Sequence, residues 1–331
     1  MKSTILKFIK ILSGVLILAI TISTIYLFQK PIEHFAFIQG DNSDYNSSLA
    51  MIQNRNAKET DKVNPVCKDI LMDQKKKVEK VVLIYHGFTN CPKQFEILGQ
   101  QLFDKGYTVY IPRMPRHGLS NLLTDETAEL TTRELVDYSN ETVNIATGLG
   151  DKVEIIGISG GGLIANWVGL QSEKITKVMN IAPLYEPLNY PHWQLRPIVN
   201  LLDILPNQFK WWDDIAKDKP QFGPKYAYPR YALKAINSFL KLSLDLDYRL
   251  DNVLSSYNQK YILISGETDK AINNDVAFDY TSELMEIPNT TVVTYQFPAD
   301  LDLNHDIIDP NQKQAKIDKV YPKLIELFVA K

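Results

Sequence analysis

Cysteine is scarce in this chain. Only Cys67 and Cys91 occur in 331 residues, and neither sits in a C-x-x-C spacing, which excludes a disulfide-rich scaffold and a thiolate metal centre. An excess of basic charge is also missing, because 36 Lys and Arg stand against 39 Asp and Glu for a net charge of −3. The electrostatic footprint of a nucleic-acid binder is therefore absent, and no nucleic-acid partner is expected. Histidine is limited to five positions, no H-E-x-x-H pattern occurs, and no metal or other cofactor is implied. With 45% hydrophobic and 23% charged residues the composition is that of an ordinary globular protein, so disorder and collagen-like fibres are excluded. Nothing in it fixes an oligomeric state.

One long apolar run is present, at the N-terminus. Lys2, Lys7 and Lys10 precede Ile11 to Phe28, eighteen uncharged residues that would make a helix of about 27 Å, close to the hydrocarbon thickness of a bilayer. The run is apolar on all faces and ends in Tyr26, Leu27, Phe28 and Gln29 rather than in small residues, so an uncleaved anchor is expected over residues 1–30, the alternative being a cleaved signal sequence and a secreted product. Three lysines before the span against Lys30 after it place the N-terminus in the cytoplasm and the rest of the chain outside, periplasmic or extracellular. Residues 31–75, rich in Asn and Asp and poor in periodicity, read as a tether.

From Lys80 strands and helices alternate. Val81 to Tyr85, Tyr107 to Ile111, Val153 to Ile156, Val178 to Ile181, Tyr261 to Ile264 and Thr291 to Tyr295 are short apolar runs of the kind buried on both faces. Between them lie helical patterns, one over Pro92 to Lys105, one opened by the capping-box spacing Thr131-x-x-Glu134, and a last one from about Gln314 to Ala330. The pattern predicts a doubly covered, mostly parallel sheet over residues 76–331. The rhythm breaks over about 185–252, a stretch rich in aromatics such as Trp193, Trp211, Trp212, Tyr226, Tyr228 and Tyr231. It reads as an inserted cap whose aromatics pack a small subdomain and also line a pocket.

The strand ending at Ile156 runs directly into Gly157-Ile158-Ser159-Gly160-Gly161, a G-x-S-x-G pattern, and then into a helix. A sharp strand-to-helix turn forces the serine into unfavourable dihedrals and leaves no room for side chains two residues before and after it, hence Gly157 and Gly161. The alternative is a tightly packed Gly-rich turn. With Tyr85-His86-Gly87-Phe88-Thr89 at the end of the first long strand, and later acidic and histidine candidates in order, residues 80–330 resemble the α/β-hydrolase family of serine esterases and lipases. Ile111 to Ser120 resembles the loop after the family's fourth strand, with Arg116 where many members have glycine.

A serine hydroxyl needs a base, and the base an orienting group. Of the five histidines only His305 lies between the last strand and the last helix, and the chain order of the resembling family, Ser then acid then His, implies it as the base. The loop Ser265-Gly266-Glu267-Thr268-Asp269-Lys270 offers two carboxylates. The family pattern favours Asp269, with Glu267 as runner-up and Asp302 and Asp306 as more distant choices. The resemblance also implies the backbone N–H groups of Phe88 and Gly160 as an oxyanion hole. The expected activity is that of a serine hydrolase cleaving carboxylic esters or lipids through an acyl-enzyme. Acyltransferase, thioesterase or amidase chemistry on the same triad, or a non-catalytic surface binding protein, are the alternatives. Outward topology would bring Cys67 and Cys91 into an oxidising compartment, where a disulfide between them is weighed equally with two separate buried thiols.

Overall fold

The structure is a computed structural model that describes residues 2–58, 60–187, 191–212, 217–218, 223–252 and 259–330. Parts of the expected cap over 185–252 therefore lie outside the described residues. The strands are β1 (Ile70–Met72), β2 (Val78–Tyr85), β3 (Thr108–Ile111), β4 (Gly150–Ile158), β5 (Ile175–Ile181), β6 (Phe209–Trp211), β7 (Arg230–Ala232), β8 (Gln259–Gly266) and β9 (Thr290–Phe297). The helices are α1 (Lys2–Gln29), α2 (Tyr45–Ala57), α3 (Glu96–Phe103), α4 (Thr132–Leu149), α5 (Gly160–Gly169), α6 (Leu195–Ile204), α7 (Leu233–Asn252), α8 (Asn274–Glu286) and α9 (Ile317–Val329).

Seven strands form one sheet in the order β1-β3-β2-β4-β5-β8-β9, parallel throughout except for β1, which runs antiparallel to β3. Alternation of side chains explains why the strands read as continuous apolar runs. In β2, Val81, Leu83 and Tyr85 enter the core under α4, α5, α7 and α8, while Val82 and Ile84 enter the opposite core under α3 and α9. Helices thus cover both faces of the sheet. The capping box at α4 is formed, with Thr131 Oγ1 accepting from the Glu134 N–H and the Glu134 carboxylate accepting from the Thr131 N–H. Parallel crossovers bring the C-terminal ends of β2, β4, β8 and β9 to one edge of the sheet, where ligands of open α/β sheets bind.

Two segments differ from the sequence expectation. Residues 31–75, read as a tether, carry α2 and β1 and bury Phe35 and Ile52. Phe37, Tyr45, Leu49 and Met51 pack against the same core, and hydrogen bonds to α4 add to them: Asn42 Nδ2 donates to Asn144 O at 3.1 Å, and Ser48 Oγ donates to Ile145 O at 2.7 Å. These apolar residues are interspersed with Asn, Asp and Ser, which leaves little periodicity to read. Within 185–252, α6 packs on α7 and α1, β6 and β7 pair antiparallel, and α7 packs on α4 and α5 and sends Phe239 into the main core.

At the N-terminus, the 22-residue segment Phe8–Gln29 of α1 contains a stretch with a mean hydropathy of 2.3, none of it buried, so it is long and apolar enough to cross a membrane.

Candidate active site

Ser159 sits between β4 and α5 with φ +54° and ψ −121°, a backbone conformation that L-residues rarely adopt. Neighbours hold it there. Its N–H donates to Ile181 O at 2.9 Å, and its carbonyl accepts from the Leu163 and Leu184 N–H groups at 3.0 Å each. A Cβ at position 157 would lie 2.2 Å from Gly161 O, and one at 161 would lie 2.3 Å from Tyr85 O. Both obstacles are backbone atoms that cannot move aside, so glycine is required on either side of the serine. The turn lifts Ser159 into a cavity of about 580 Å³ that is also lined by Phe88, Asn90, Trp212, Tyr228 and His305.

His305 lies in the loop between β9 and α9, and its Nδ1 is 2.7 Å from Asp269 Oδ2. Asp269 follows β8 and is almost wholly buried. Its other oxygen, Oδ1, accepts from the Ala271 N–H at 2.8 Å and the Ile272 N–H at 3.4 Å. Burial raises the Asp269 pKa, but the charge and hydrogen bond of His305 together with the two backbone N–H groups outweigh it and hold the carboxyl below its ordinary range. For His305 burial favours the neutral ring, and the negative charge and hydrogen bond of Asp269 reverse this, so its pKa is raised. With Nδ1–H given to Asp269, Nε2 is left as the basic nitrogen. Glu267 is directed elsewhere, accepting from the Ala299 N–H at 2.9 Å, and Asp306 is occupied by the Ile308 and Asp309 N–H groups and by Asn90 and Gln312.

Phe88 lines the cavity from the turn after β2, and Gly160 follows Ser159 directly. Gly160 is the first residue of α5, whose leading N–H groups have no partner within the helix. Among the described residues neither the Phe88 N–H nor the Gly160 N–H has an acceptor, which leaves both available to an anion. The turn carrying Phe88 is supported by residues that the sequence did not single out. Gln94 Oε1 accepts from the Gly87 N–H at 2.8 Å. His86, fully buried, has Nδ1 2.9 Å from Gly87 O while its Nε2 accepts from the Met114 N–H at 3.1 Å. Burial, reinforced by His117 and Arg113, drives its pKa well below the ordinary value and keeps the ring neutral. His86 is a brace, not a base.

Asn90 ties this turn to the His305 loop. Its Nδ2 donates to Asp306 Oδ2 at 3.2 Å and to Asp309 Oδ2 at 3.3 Å, while Tyr226 of the insertion donates to Asp309 Oδ1 at 2.7 Å. Beside it Cys67 and Cys91, 24 positions apart in the chain, are joined, with their Cα atoms 5.4 Å apart. Arg116 has φ +62°, which explains the preference for glycine there, and is paired with Glu129 and Glu134. It does not line the cavity around Ser159.

A strained serine after a parallel strand, glycines flanking it, and a histidine after β9 held by an acid after β8 now stand together. A family model described as alpha/beta hydrolase fold matches residues 80–225. The chain has the α/β-hydrolase fold. No curated protein matches the sequence. Among solved structures, a metagenome-derived lipolytic enzyme of the LipS and LipT pair superimposes with a TM-score of 0.57 at 17% identity, over 80% of this chain and 98% of its own. A monoacylglycerol lipase from Paleococcus ferrophilus gives 0.57 at 17% identity, over 79% and 97%. A soluble variant of monoglyceride lipase from Saccharomyces cerevisiae, in complex with a substrate analog, gives 0.56 at 14% identity, over 79% and 90%. At these identities the likeness speaks for the α/β-hydrolase fold, and the chemistry has to be argued from the site.

Proposed function

We propose that this α/β-hydrolase-fold protein is a serine hydrolase of carboxylic esters, with Ser159 as nucleophile, His305 as general base and acid, and Asp269 as the group that orients the base. The observation carrying this reading is that the strained Ser159 shares one cavity with a histidine whose Nδ1 is bonded to a buried carboxylate. Ser159 Oγ attacks the ester carbonyl as His305 Nε2 takes its proton. The carbonyl oxygen becomes an oxyanion between the Phe88 and Gly160 N–H groups, each donor being worth about 3 kcal/mol in the transition state. Collapse expels the alcohol, which takes the proton from His305. A water then gives a proton to His305 and attacks the acyl-enzyme, releasing the carboxylic acid and returning the proton to Ser159.

The cavity wall is partly aromatic, with Phe88, Trp212 and Tyr228, and partly polar, with Asn304, Gln312 and Lys270. Such a wall suits an ester with an apolar acyl group and a polar alcohol. The solved relatives that act on lipids and monoacylglycerols support the same substrate class. We further propose that α1 is an uncleaved anchor and that the catalytic domain lies outside the cytoplasm, a reading supported by the exposed apolar face of α1 and by the three lysines that precede it. A panel of p-nitrophenyl esters from acetate to palmitate tests the activity. Turnover that depends on Ser159 is the expected result, and a folded protein inert toward every ester would overturn the reading.

A further inference from the structure

The end of α1 is bolted to the cap. Asn200 Nδ2 on α6 donates to Leu27 O at 2.8 Å and Arg196 on α6 to Phe28 O at 3.4 Å, so side chains of the cap satisfy carbonyls that the C-terminus of α1 leaves without helical partners. Asp203 on the same helix pairs with Lys30 at 2.7 Å and with Lys241 of α7 at 2.7 Å. Arg196, Asn200 and Asp203 follow helical spacing and form one face of α6.

A second face lies one residue round from the first. Trp193, just ahead of α6, and Pro197, Leu201 and Ile204 within it recur at intervals of four, four and three, and Trp193, Leu201 and Ile204 are 63%, 41% and 60% exposed. Isolated exposed apolar residues need no explanation, but an aligned set of them on a helix does. Trp193 also stacks on Phe28, the last apolar residue of α1, with ring centroids 6.1 Å apart and planes 13° from parallel. Whatever holds Phe28 at the boundary of a bilayer holds Trp193 there too.

We propose that α6 is a second membrane contact, lying in the bilayer interface beside the end of α1 with Trp193, Leu201 and Ile204 in the acyl and head-group boundary. The proposal rests on reading α1 as a membrane span. The occupant of the apolar face is the lipid surface itself, because the face is continuous with the end of that span. Tryptophan is the side chain most at home at this depth, and Lys30 and Arg196 stand beside the end of α1, where cations meet lipid head groups. The cap is thereby fixed in height as well as in position. It is also the cap that carries Trp212, a wall of the cavity around Ser159.

The test uses the full chain in proteoliposomes of phospholipid brominated on the upper acyl chain, with plain phospholipid as reference. Brominated lipid should quench part of the tryptophan emission, and Trp193→Phe should lose that part. Leu201→Glu with Ile204→Glu, two exposed positions whose change leaves the core intact, should lower the quenching while Trp193 is still present. Equal emission in both lipids, or quenching that persists unchanged in Trp193→Phe, would overturn the proposal. Carbonate extraction separates the two readings: a chain released by carbonate defeats the anchor together with this contact, whereas a chain that is retained but unquenched at Trp193 defeats this contact alone.

Discussion

The two halves of the site are held by different physics. The turn carrying Ser159 is fixed by backbone contact, since a Cβ at 157 or 161 would meet carbonyl oxygens at 2.2 and 2.3 Å. The loops carrying Asp269 and His305 are fixed by side chains instead: Asp269 on His305, Asn90 on Asp306 and Asp309, and Tyr226 on Asp309. Steric exclusion leaves a short and unambiguous trace in the sequence. Hydrogen bonds between distant loops leave none until the loops are brought together.

The largest effects should separate chemistry from geometry at the nucleophile. Ser159→Ala is expected to lower ester turnover by about 10⁶-fold with little change in thermal stability. Gly161→Ala should remove turnover too, but with a marked fall in thermal stability, because the turn cannot form around the added methyl. An active, stable Gly161→Ala would break the steric half of the comparison.

Asp269→Asn should come next, lowering turnover by about 10⁴-fold. Its pH profile carries the sign. His305 works as a base only when neutral, and Asp269 raises its pKa above the ordinary 6.5, so the wild-type rate should rise with pH through a limb above 6.5. Removing the Asp269 charge leaves burial, the largest influence and one that lowers the pKa, against the weaker pull of Asp306, and the limb should move to lower pH. A limb that stays in place, or a Glu267→Gln variant that is the more damaging of the two, would contradict the assignment of the acid.

Asn90→Ala tests the side-chain half directly. It leaves the Asp306 and Asp309 carboxylates, one of them fully buried, without the amide that links them to the oxyanion turn. Misplacement of His305 by a fraction of an ångström should lower kcat by up to about 10²-fold with KM little changed. An unchanged kcat would show that the His305 loop holds itself. The smallest effect on the chemistry is expected from Cys67→Ser with Cys91→Ser. Opening a loop of 24 positions should lower stability by about 3 kcal/mol in a denaturant titration and leave the acid limb of the pH profile where it is.

The same contrast explains what could be read in advance. The central strands were legible as apolar runs because both faces of the sheet are covered, and Ser159 was legible through its glycines. His305 and Asp269 followed from chain order in the resembling family, not from any local pattern. β1 was missed because Ile70 to Met72 is a three-residue edge strand, too short to show a period. The packing of residues 31–75 was missed because its apolar contacts, Phe35, Leu49 and Ile52 among them, are scattered through polar sequence, and Asn42 and Ser48 complete it through hydrogen bonds. The roles of His86, Gln94 and Asn90 were missed for a related reason: each supports backbone or side chains supplied by another loop, and only the fold says which. The Pro92 to Phe95 turn that carries Gln94 is 3-10 helix, ahead of the eight residues of α3.

The central claim is that Ser159 is a nucleophile activated by His305. A fluorophosphonate probe followed by peptide mass spectrometry of the full chain tests it most directly. A single adduct on the peptide containing Ser159 is expected, absent from Ser159→Ala and strongly slowed in His305→Ala. An adduct on another residue, or no adduct on a folded wild-type protein, would contradict it.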